Sequence, residues 1–197
     1  MCLRSTFIIA EWKRGDHFMT IEQSQSRTID GKGKTIRELL TAKRYSIDYY
    51  QREYKWQTKQ ITELLDDLAT KFLDSYKPEH ERAAVERYGH YFLGSIIVSD
   101  KEGQKFIIDG QQRLTTLTLL LIHLHHLLAD NEHKGQIAEL IFSQRFGIKS
   151  FNLDVPERTA CMEAIFTGDS FDETGHLSLF KTSWRDTRIL RIAFLQT

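Results

Sequence analysis

Asp109, Gly110, Gln111, Gln112 and Arg113 stand in a row where the chain is expected to turn. They follow a short aromatic and β-branched run, residues 105–108, and precede residues 114–128, which are leucine-dense and free of proline. The order predicted is strand, glycine turn, buried helix. Glycine lets the chain reverse sharply at the strand exit, and the helix aims its unpaired N–H groups and positive dipole end at the space above the turn. Such a place suits phosphate. Arg113 in the first helical turn can fork onto phosphate oxygens, and Gln111 and Gln112 supply neutral donors and acceptors. Asp109 can hold Mg²⁺ directly or through water, since that ion takes a carboxylate together with substrate oxygens. The plainer reading is that Asp109 and the two glutamines cap the helix while Arg113 pairs with a carboxylate. No G-x-x-x-x-G-K-[ST] loop occurs in the chain.

Tyr50, Gln51 and Arg52, with Tyr49, Tyr54 and Trp56 around them, form a second candidate. Arginine among aromatic rings serves nucleobase and phosphate recognition. The rings alone are explained equally well as core, whereas an arginine is seldom buried without a partner. His123, His125, His126 and His133 share a leucine-rich stretch without H-E-x-x-H or any Glu-x-x-His pair, so packing at the helix edge is preferred to a metal site. No Ser-His-Asp or G-x-S-x-G arrangement appears.

The elements that must position these groups follow from periodicity. Thr35 and Glu38 form a capping box ahead of a short helix with Ile36, Leu39 and Leu40. Residues 45–56 read as extended. Ile61, Leu64, Leu65, Leu68 and Phe72 make one apolar stripe of a helix that Thr58 can cap. Residues 77–90 read as a charged loop or weak helix, and residues 91–98 and 105–108 as a hairpin around the turn-forming residues 99–104. Residues 1–34 read as a poorly ordered extension, 35–130 as the functional domain and 131–197 as a helical region. The helical pattern of residues 185–194 runs to the end, which points to a longer protein. The fold class expected is α+β.

The whole chain, 197 residues with 27 basic and 27 acidic side chains and 41% hydrophobic residues, has an ordinary globular composition. Residues 1–60 carry 12 basic and 7 acidic side chains, so any basic surface is local; a solvated face explains this excess as well as a polyanion site does. Cys2 and Cys161 suggest neither a disulfide framework nor a zinc ribbon. The N-terminus lacks a signal peptide and no stretch is long enough to span a bilayer, so a cytoplasmic location is expected.

Four blocks carry a family resemblance: residues 47–56 around Tyr50-Gln51-Arg52, the helix containing Leu64-Leu65-Asp66-Asp67-Leu68, the strand Tyr91-Phe92-Leu93-Gly94-Ser95-Ile96-Ile97-Val98, and Ile108-Asp109-Gly110-Gln111-Gln112-Arg113. In this order they resemble the N-terminal domain of GmrSD-type, modification-dependent (type IV) restriction enzymes. That family is similar to the ParB/sulfiredoxin-like fold, whose G-x-x-R element at a helix start binds nucleotide phosphate; Gly110 to Arg113 match it. The resemblance implies that Tyr50, Gln51, Arg52, Gly110 and Arg113 bind a nucleoside triphosphate. It implies hydrolysis with Mg²⁺ involving Asp109, Gln111, Gln112 and Arg113, coupled to recognition of modified phage DNA. A His-Asn-His-type nuclease module in cis or trans is the implied partner, with homo-oligomers also known in such systems, and this chain carries no candidate for that module. Where the family has Ile-Pro, this chain has Ile47-Asp48. The other readings are a DNA-binding module without turnover and an inactive remnant of such an enzyme.

Overall fold

The computed structural model describes residues 6–13, 29–47, 55–129, 131–145 and 147–168. Along the chain run β1 (Thr6–Lys13), β2 (Ile29–Thr35), α1 (Ile36–Leu40), β3 (Tyr45–Ile47), α2 (Thr58–Leu73), a 3-10 turn (Arg82–Arg87), β4 (Phe92–Lys101) and β5 (Gln104–Asp109). Then follow α3 (Gln111–Leu127), α4 (Asn131–Ile141), β6 (Phe142–Arg145), β7 (Ile148–Phe151), β8 (Leu153–Asp154) and α5 (Pro156–Thr167). The class is α+β, as expected: a mixed sheet in the order β2-β1-β4-β5-β3-β8, with helices packed against it.

The expected hairpin is present, with longer strands and a tighter turn. Glu102 and Gly103 both take positive φ, 55° and 77°, which matches the right-handed twist of the strands they join. The Gly103 N–H donates to the Asp100 carboxylate at 3.1 Å and fixes the turn. Thr35 and Glu38 form the expected capping box. At α2 the cap differs from expectation, because Gln57 and Gln60 form the reciprocal pair and Thr58 is already helical. Asn, Asp, Ser and Thr are the usual caps, so a glutamine pair leaves little trace in a sequence.

α3 is the centre of the molecule. Leu114, Leu117, Leu120, Leu121, Ile122 and Leu124 are buried on several sides of it. Thr115, Thr116 and Thr118 are buried too, and each hydroxyl donates to the carbonyl four residues back, at 2.8, 3.0 and 2.9 Å. Such back-bonding hides polar atoms that would otherwise be costly in an apolar core.

Two regions depart from the sequence reading. Residues 6–13 and 29–35, within the expected extension, form β1 and β2; β1 lies parallel to β4 and antiparallel to β2. Residues 131–168, expected to be helical, include a β6–β7 hairpin in which Phe142 pairs with Phe151, their rings 4.6 Å apart. They also give the sheet its last strand, β8, beside β3. The Tyr45 N–H donates to the Asn152 carbonyl at 2.7 Å, and α4 and α5 pack on α3. A break at residue 130 therefore does not separate two cores.

Candidate functional site

Topology gathers the sequence blocks at one edge of the sheet. β3 and β5 are parallel, with Ile47 beside Ile107, so both leave the sheet at the same end. Antiparallel β4 begins there, which puts Gly94 and Ser95 next to the exit of β5. In open sheets that contain parallel strands, the carboxyl ends are where ligands bind.

At the exit of β5, Gly110 has φ +89° and starts α3. A Cβ on it would lie 2.9 Å from Ile96 Cγ1 and 3.1 Å from the Ser95 carbonyl oxygen, so the turn is pressed against β4. The Leu114 N–H donates to the Gly110 carbonyl at 3.0 Å and closes the first turn of the helix. The N-cap residue, Gly110, has no side chain to cap the helix, and the first turn holds no acidic residue. Asp109 is exposed beside the turn. One accessible carboxylate fits Mg²⁺, which keeps several waters and takes its remaining ligands from substrate. Among the described residues no group of three His, Cys, Asp or Glu side chains converges into a metal cage.

Arg113 is the first-turn cation. Its Nη1 donates to the Ser95 carbonyl at 2.8 Å, and its guanidinium lies against the α-carbon of Gly94, whose φ is +103°. Among the described residues it has no ion-pair partner, in contrast to the carboxylate pairing of the plainer sequence reading. The two glutamines diverge. Gln111 Oε1 is buried without a hydrogen-bond partner. Gln112 Oε1 accepts the backbone N–H of Lys55 at 2.9 Å.

That bond ties the start of α3 to the chain just after Tyr50, Gln51 and Arg52, which themselves lie outside the described residues. The acidic helix joins the cluster through Asp67, whose carboxylate accepts the Tyr91 hydroxyl at 2.7 Å. Desolvation, with the Asp67 charge adding to it, pushes the Tyr91 hydroxyl up to about 12, against the opposing pull of nearby Arg113. From α5, Arg158 Nη1 donates to Thr115 Oγ1 at 2.6 Å, and Thr115 in turn donates to the Gln111 carbonyl.

Gly94, Ser95, Tyr91 and Lys55 were not singled out by composition or spacing. A Gly-Ser pair inside a strand otherwise rich in Ile and Val is a signal of close backbone approach, and that signal fits Gly94. Two of the histidines make packing contacts: His125 lies 4.9 Å from the Phe166 ring, and His126 Nε2 is 3.0 Å from the Ile165 carbonyl oxygen. Burial, with His126 nearby, lowers His123 to about 4. No helix among the described residues is long and apolar enough to cross a membrane.

Comparison with curated proteins yields no match. The model of the GmrSD restriction endonuclease N-terminal domain matches residues 36–189, a span that includes all four blocks. The chain belongs to the GmrSD restriction endonuclease N-terminal domain family, and its role is in a restriction system.

Proposed function

We propose that this domain binds a nucleoside triphosphate with Mg²⁺ at the start of α3, hydrolyses it, and couples that to sensing modified DNA. One observation carries the reading: α3 starts at Gly110 with no acidic residue in its first turn, and among the described residues Arg113 in that turn has no carboxylate partner. A cation at the positive end of a helix dipole is unfavourable until an anion arrives. Phosphate would satisfy the amides and Arg113 together.

In this reading the turn amides and Arg113 hold the phosphate oxygens. Asp109 would hold Mg²⁺, which supplies charge neutralisation at those oxygens when bound. Gln111 offers a buried acceptor suited to orienting the attacking water, and Gln112 tethers the segment that carries Tyr50, Gln51 and Arg52. Lys55 is anchored at the helix start only three residues after Arg52, which supports Arg52 as the cation on the opposite wall. Catalysis would be positioning and electrostatic stabilisation, as in phosphoryl transfer generally. The G-x-x-R element of the ParB/sulfiredoxin-like fold is the analogy for the phosphate turn.

The decisive experiment is a thermal-shift series with ATP, GTP, CTP and UTP, each with Mg²⁺. At least one should raise the melting temperature of the wild-type chain, with phosphate release on longer incubation. Silence from all four overturns the reading. A second reading, a DNA-binding module without turnover, draws on Lys32 and Lys34 in the glycine-bearing strand β2. It requires DNA binding that weakens steeply with salt and is indifferent to nucleotide.

A further inference from the structure

Gly94 interrupts β4 with φ +103°, and a Cβ built there would stand 2.7 Å from both Cζ and Nη1 of Arg113 and 3.1 Å from Nη2. The guanidinium therefore rests on a bare α-carbon, while Nη1 is held by the next residue's carbonyl at 2.8 Å. A side chain at position 94 would occupy the same space. The two glycines at this edge differ in what resists them. Around Gly110 the obstruction includes the backbone of Ile96 and Ser95, whereas around Gly94 it is the far end of one flexible side chain. Arg113 swinging out would relieve the contact made by added bulk at 94, and the positive φ would still strain any side chain there.

An arginine in the first turn of a helix, with no carboxylate partner among the described residues, has good reason to leave, since the dipole repels it and water solvates it well. The Ser95 carbonyl and the flat seat on Gly94 oppose that tendency. We infer that Gly94 is a positioning residue: by lacking a side chain it holds the Arg113 guanidinium against β4, in register with the first-turn amides of α3, before any ligand arrives. This rests on the proposed phosphate site and adds that the site is set in advance by the strand. Preorganised donors are worth more than donors that must be gathered, because their ordering has already been met by the fold.

The test is a double-mutant cycle read with inorganic tripolyphosphate and Mg²⁺ by calorimetry, together with the ligand-free NMR signal of the Arg113 Nε–H group. Gly94→Ala should weaken binding at least tenfold (~10-fold or more) in the wild-type background and change it less than about twofold in an Arg113→Ala background. In the ligand-free protein it should also move the Arg113 Nε–H signal toward that of a solvated arginine. Equal losses in both backgrounds, or an unmoved signal, overturn the positioning role while leaving the phosphate site intact. If the wild-type chain binds no tripolyphosphate, the phosphate site fails and this role with it. Should Gly94→Ala not fold, Arg113→Lys takes its place: lysine has neither the flat face nor the fork, so binding should fall about tenfold. Unchanged binding in that variant overturns the inference.

Discussion

Arg113 and Gly110, three residues apart, are expected to respond to substitution in opposite ways. Arg113→Ala removes one hydrogen bond to Ser95, worth about 1 kcal/mol, and also a cation that the helix dipole disfavours by roughly 0.3–1 kcal/mol. Urea denaturation should show stability unchanged within about 1 kcal/mol, while calorimetry shows triphosphate binding lost. Gly110→Ala forces a left-handed φ on alanine and drives a Cβ into Ser95 and Ile96, so it should cost about 2–4 kcal/mol by the same measurement. Gln112→Ala should leave the fold stable and speed hydrogen exchange at the Lys55 amide by about fivefold, the loss of a ~1 kcal/mol bond. The motif from Asp109 to Arg113 was legible because glycine after a strand and before an apolar helix has few other meanings. The different duties of Gln111 and Gln112 were not, since side-chain direction on a first helical turn depends on what lies opposite.

α2 and α3 were the most legible elements, one from its single apolar stripe and the other from its leucine density without proline. The β6–β7 hairpin and β8 were not. Their runs are four, four and two residues long, too short for alternation to register, and β8 is held by β3, far away in sequence. β1 was missed for a related reason: a parallel pairing with β4, some eighty residues away, leaves no local turn signal. Within α3, His123 gives a pH test. Its folded value of about 4 lies below the ordinary 6.5, so between those values the unfolded chain takes up a proton that the folded chain refuses. The stability this histidine supports is complete above about 6.5 and falls away toward pH 4. Burial lowers His125 in the same direction. In denaturation midpoints measured from pH 7 to pH 4, His123→Leu should flatten the decline; an equally steep curve would show that other groups govern it.

For the whole molecule, the sheet order brings residues far apart in sequence to one end of the sheet. β3 and β5 deliver their carboxyl ends side by side, β4 starts beside them, and α3 runs from that edge into the core. β3 is only three residues long and is clasped between β5 and β8. Ending the chain at residue 130 would remove β8 and the Asn152 carbonyl that receives the Tyr45 N–H, and it would bare the face of α3 covered by α4 and α5. Such a chain should lose cooperative thermal unfolding by circular dichroism, whereas ending it at 168 should preserve it. The Arg158–Thr115–Gln111 bonds add a direct brace from α5 to the first turn of α3. Mechanically, that brace acts as a strut between the Gly110 turn and α5. A displacement of a fraction of an ångström at the turn would reach α5 as tilt, and a load on α5 would be felt at the turn with equal force.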